Sequence, residues 1–176
     1  MLRLNLKGGK KMVECKNLDP TALGLFLVAV VSLPLGIMNL LEIDGAWGPT
    51  GDFFTVMGIL ILFVAYFAYR AESQFGFTVF GLVGAAVALT GIGMGTFENI
   101  SFAIVFLLAM IWSFIAKTPK TLSIILLTTT LVFLLVGLMD LADIDAKIMG
   151  LFALLNGIFA IYLAFALALE NKIPIF

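Results

Sequence analysis

Six apolar runs joined by linkers of a few residues constrain this 176-residue chain more than anything else in it. The hydrocarbon core of a bilayer is about 30 Å thick, and about 20 apolar residues in a helix cross it. By that rule the spans are roughly Thr21–Leu41, Phe53–Tyr69, Phe75–Met94, Ser101–Ala116, Thr121–Met139 and Lys147–Leu169. The fourth is the shortest, with Phe97 an alternative start. In lipid every backbone N–H and C=O must be satisfied within its own segment, so runs of this length are helices. The tightest linkers, Arg70–Gln74 and Lys117–Lys120, leave no room for a domain outside the membrane. The expected fold is therefore an all-α integral membrane bundle of six helices. It divides into a polar head (1–18), the six-helix domain (19–170) and a tail (171–176).

Composition agrees: 62% of residues are hydrophobic, 12% are charged, and the mean hydropathy is +1.19. A soluble domain carries about a quarter charged residues. The net charge of −1 offers no basic excess for nucleic acid. A single cysteine, Cys15, excludes an intramolecular disulfide and a thiolate metal cluster. With no histidine, hydrolytic triads and histidine-bearing zinc sites are excluded too, and no cofactor is expected. The apolar run after the head is about twice the length of a signal-peptide core, so it reads as a retained helix.

Orientation follows from lysine and arginine. The head (Arg3, Lys7, Lys10, Lys11, Lys16), Arg70, Lys117, Lys120 and Lys172 share one side, which is nine of the ten basic residues, and Lys147 lies opposite. Both termini are therefore expected in the cytoplasm, with the protein in the cell membrane. The opposite face carries Glu42, Asp44, Asp52, Glu98, Asp140, Asp143 and Asp145, seven of the eleven acids.

The acidic exit of span 1 is written twice. Gly36–Gly45 reads GIMNLLEIDG and Gly137–Ala146 reads GLMDLADIDA, and further on Tyr66 aligns with Tyr162. Spans 1–2 and 5–6 would run in the same direction, as in a parallel repeat. Duplication and convergence of two exit loops both account for this echo.

No charged residue lies near the centre of a span, which argues against a carboxylate relay and for a passive or weakly coupled conduit. The polar residues within the spans are neutral: Ser32, Asn39, Tyr66, Thr78, Thr90, Ser113, Ser123, Thr128, Thr129, Thr130, Asn156 and Tyr162. Such groups replace part of a solute's hydration shell, or bond helices together. Asn39, Thr128, Asn156 and Tyr162 are the pore-lining candidates, and Asn156 stands out because a mid-span amide needs several partners. Pro34 removes a helical bond to the Val30 carbonyl, so it marks a kink that lines a cavity or is simply tolerated. Gly81, Gly84, Gly91 and Gly95 read as tight helix packing, within the protomer or between protomers.

With these landmarks in order, the chain resembles the acetate/succinate uptake family of YaaH-type permeases over nearly its whole length. That family opens with an asparagine-proline-x-proline-leucine-glycine-leucine signature. Here it reads Asp19, Pro20, Thr21, Ala22, Leu23, Gly24, Leu25, so the asparagine and second proline are replaced. Met57-Gly58, Phe75-Gly76 with Thr78, the stretch 150–164 (GLFALLNGIFAIYLA), Glu170 and the terminal Ile173-Pro174-Ile175 also look like family positions. The resemblance implies a homohexamer with one pore per protomer, narrowed at positions that fall on Val28, Val83 and Leu127. The family has phenylalanine, tyrosine and leucine there, so only the leucine matches. It further implies that acetate, or succinate, is carried passively or with a proton.

The urea/amide channel family is a second resemblance. It has six helices in a hexameric ring, a glycine-phenylalanine-threonine stretch like Gly76-Phe77-Thr78, and a stretch like Ala153–Ile158. The opening signature and the Pro-Ile tail favour the carboxylate family. An acidic mouth opposes anions, but fields are screened beyond about 8 Å at physiological ionic strength. Entry of neutral acetic acid, or of a neutral solute such as urea, would remove the conflict. A membrane assembly or sensor subunit without transport activity is the third expectation. An enzyme is not expected, since no catalytic pair lies within the spans.

Overall fold

In a computed structural model the described residues are 20–43, 48–169 and 174, with no account of the Asp140 side chain. They form α1 (Thr21–Leu40), α2 (Gly51–Arg70), α3 (Gln74–Ile92), α4 (Thr96–Ile115), α5 (Lys120–Ala142) and α6 (Ala146–Ala168), with no strand among the described residues. All six are long and apolar enough to cross a membrane. The chain folds as a multi-pass membrane protein. The head, Asp44, Glu170 and most of the tail lie outside the described residues.

Most helix ends fall within two residues of the hydropathy reading, and two differ by more. Helix α4 starts five residues before Ser101, because Gly95 precedes it and Glu98 in its first turn suits the positive helix end. Helix α5 continues past Met139 to Ala142. Water satisfies the exposed last turn of a helix, so helix length and apolar length need not coincide.

Four of the six helices, α1, α2, α4 and α5, close on a left-handed residue. Glu42, Glu72, Lys117 and Asp143 have φ of 53°, 60°, 54° and 48°. After the first three, an amide reaches back five residues: Ile43 N to Met38 O at 3.0 Å, Ser73 N to Ala68 O at 2.9 Å, Thr118 N to Ser113 O at 3.1 Å. This satisfies carbonyls that the helix end leaves open. Glu42 and Asp143, aligned in the internal echo, share this conformation. Side-chain caps then start the next helix, with Thr50 Oγ1 accepting from Phe53 N and Ser73 Oγ from Gly76 N, both at 3.2 Å.

The helices are arranged as a ring in chain order, packed least closely between α3 and α4. Helix α2 lies along α3, α4 along α5, and α1 along α6, while α5 packs on α6 and α1 touches α2. The Phe75 and Trp112 rings, 5.0 Å apart, join the start of α3 to the end of α4. Glycine permits the closest approaches. A methyl on Gly58 would lie 2.3 Å from the Ala88 nitrogen, and one on Gly36 2.5 Å from the Leu154 nitrogen. Gly84 and Gly91 face α2 in the same way, so this glycine stripe packs within the protomer, whereas Gly95 meets only its own Glu98.

Arg70, Lys117 and Lys120 lie at one end of the ring, the basic end, and Glu42, Asp52, Glu98, Asp143 and Asp145 at the other, the acidic end. There Lys147 Nζ pairs with Glu42 Oε1 at 2.6 Å, and both side chains are exposed.

Candidate functional site

Two cavities lie along the inside of the ring. The first, about 80 Å³, is lined by all six helices: Val28, Val31, Ser32 and Leu35 of α1, Phe54 of α2, Val83, Val87 and Thr90 of α3, Asn99 of α4, Thr129, Val132, Phe133 and Val136 of α5, and Asn156 of α6. It reaches from mid-bundle toward the acidic end. The second, about 230 Å³, sits at the basic end between Thr21, Ser73, Phe75, Gly76, Val79, Phe80, Thr118, Pro119, Leu122, Leu163 and Leu167. Residues three and four apart share a helix face, so one face of α1 runs from Thr21 through Leu25 and Val28 to Leu35.

No charged side chain lines the central cavity among the described residues. Its polarity comes from one network. Asn156, 4% exposed, donates from Nδ2 to Ser32 Oγ at 3.0 Å. Its Oδ1 accepts from the Thr128 hydroxyl at 2.8 Å and the Thr129 hydroxyl at 3.3 Å. Three helices thus meet at one amide. Both threonine hydroxyls also lie within bonding distance of carbonyls on their own helix, Ile124 and Ile125. An amide has two N–H donors and a hydroxyl one. The second Asn156 N–H and the Ser32 O–H therefore have no partner among the described residues and border the cavity. Thr90 and Asn99 also line it, each bonded to a carbonyl of its own helix or the preceding turn, Ala86 O at 2.9 Å and Gly95 O at 2.8 Å.

Of the three positions carried over as a constriction, Val28 and Val83 line this cavity together. Leu127 does not: it is 40% exposed on the outside of α5. Two residues turn a helix by about 200°, so Thr129, two residues on, faces the cavity that the two valines line.

Among the polar candidates, Asn156 and Thr128 belong to the network. Asn39 does not reach the cavity: its Nδ2 donates to Leu35 O at 2.8 Å, and its Cβ packs over Gly150. Tyr162 is half-buried off the cavity-lining face of α6, with its hydroxyl donating to Pro174 O. Pro34 is exposed on the outer face of an unbroken α1, away from the cavity.

In the opening signature, Pro20 accepts from Gly24 N at 3.0 Å, Leu23 points outward, and Gly24 and Leu25 are buried. Asp19 lies outside the described residues. Asn99 is absent from the polar candidates because the fourth span is placed from Ser101; only its alternative start at Phe97 takes Asn99 in. The glycine-then-acid pattern of Gly95 and Glu98 was the available signal.

No protein-family model matches the sequence, and no curated protein matches it. Among solved structures the chain is similar to the structure of the bacterial acetate channel SatP. The TM-score is 0.75 with 20% identity, over 90% of this chain and 99% of that one. The two chains share a fold.

Proposed function

We propose that the protein is a membrane channel for small monocarboxylates, with acetate its leading substrate. We further propose that it belongs with the acetate/succinate permeases as a hexamer of independent pores, with both termini in the cytoplasm. The observation that carries this is the fold shared with an acetate channel over 99% of that channel's length. The cavity chemistry supports it. Two donors without a partner among the described residues, the second Asn156 N–H and the Ser32 O–H, suit a carboxyl group, which offers acceptor lone pairs. Without a lining charge the site favours passage of the neutral acid, or of the anion with a proton, over a coupled pump.

A passive channel for urea or a short amide is the second reading. Asn99 and Asn156 favour it, since neutral amides both donate and accept.

Uptake of labelled acetate and urea into liposomes carrying the purified protein separates the readings. The expected result is acetate uptake that rises as the outside is acidified. Urea uptake without acetate uptake would overturn the proposal, and uptake of neither would favour a non-transporting subunit.

A further inference from the structure

The two cavities do not share a lining residue, so something closes the ring between them. On α1, Leu25 lies one turn from Thr21 in the basic-end cavity and one turn from Val28 in the central one. On α5, Leu126 holds the same position between Leu122 and Thr129. On α3, Phe80 lines the basic-end cavity and Val83 the central one. Leu25, Phe80 and Leu126 are 2%, 3% and 1% exposed. Their side chains belong to the same apolar cluster.

Phe80 has a particular seat. A methyl built on Gly24 would lie 2.3 Å from Phe80 Cε1 and 2.5 Å from Cζ, so the ring occupies the space a side chain at position 24 would take. On its other side is the 230 Å³ cavity. The buried ring thus lies between a glycine and a cavity, with room on the cavity side for it to move into.

From this geometry we infer that Leu25, Phe80 and Leu126 form the selectivity barrier of the pore. The Phe80 ring, seated on Gly24, is its movable part, and the barrier sets the size of solute that passes. This rests on the reading of the chain as a channel. Val28 and Val83 then line the chamber beyond the barrier.

The test has one readout that needs no substrate. With Cys15→Ser removing the only native thiol, Val28→Cys is exposed to the impermeant cationic reagent MTSET, added at the basic end of protein reconstituted in oriented vesicles. Leu122→Cys, in the basic-end cavity, should react quickly and Val28→Cys at least tenfold more slowly. Adding Phe80→Ala or Leu126→Ala should raise the Val28→Cys rate at least tenfold. Gly24→Ala, which unseats the ring, should raise it less.

In flux assays the wild type should carry acetate in preference to butyrate and Phe80→Ala should admit butyrate, whereas Phe63→Ala, on the exposed outer wall, should leave that ratio unchanged. The barrier is overturned by Val28→Cys reacting as fast as Leu122→Cys in the wild type. Rates and butyrate ratios left unchanged by both alanine variants would overturn it equally. Should the wild type carry no carboxylate, the labelling rates still decide the barrier, and only the proposed substrate falls.

Discussion

Asn156 shows how a single side chain ties this fold to its proposed task. Its amide joins α1, α5 and α6 through Ser32, Thr128 and Thr129, and it borders the central cavity. Asn156→Ala removes those links, but both threonine hydroxyls retain carbonyl partners on their own helix. The loss of stability should thus be only about 1–2 kcal/mol, in the range of interhelical hydrogen bonds within membranes. Thermal unfolding in detergent measures it, alongside a fall in acetate uptake. A loss of uptake with unaltered stability would mean that Asn156 serves the solute alone. Val28→Trp and Val83→Trp test the chamber itself. An indole exceeds the space in a cavity of about 80 Å³, so uptake should fall to the level of empty liposomes while assembly is kept. Unchanged uptake in both would place the path elsewhere. Asn156 was legible as an isolated mid-span amide, whereas Leu127 was misplaced because an outward and an inward leucine look alike in an apolar run.

At the scale of elements, the ring depends on glycine where helices touch. Gly58→Ala would press a methyl against the Ala88 backbone, which cannot yield as a side-chain tip can. A cost of about 1–3 kcal/mol follows, as for overpacked cores. At Gly81 the nearest atom lies 4.0 Å away, so Gly81→Ala should be neutral or slightly stabilising. Comparing the melting temperatures of the two variants checks this, and equal losses would contradict it. The glycine stripe was visible in the sequence. Which glycines meet a backbone, and on which helix, was not.

For the whole molecule, the outer wall matters most. Phe63, Phe67, Ile104, Leu108 and Phe114 are exposed on it, a surface suited to lipid or to neighbouring copies. The proposed hexamer predicts a particle of six chains by native mass measurement in mild detergent. A monomer in every detergent tried would remove the hexamer while leaving the pore within each chain, since all six helices of one chain line the cavity.

Hydropathy alone determined the number of helices, their nearly correct ends and the separation of basic from acidic turns. Each of these depends only on local burial in lipid and on the charge of the linkers. Tertiary structure decided which faces turn inward. In a helix hydrophobic all round, lipid and core make the same demand of a side chain, so periodicity carries little sign of the inner face. Only the packing of α1 against α6 brought Ser32 to Asn156 across 124 residues, and only the assembled bundle set Phe80 of α3 upon Gly24 of α1.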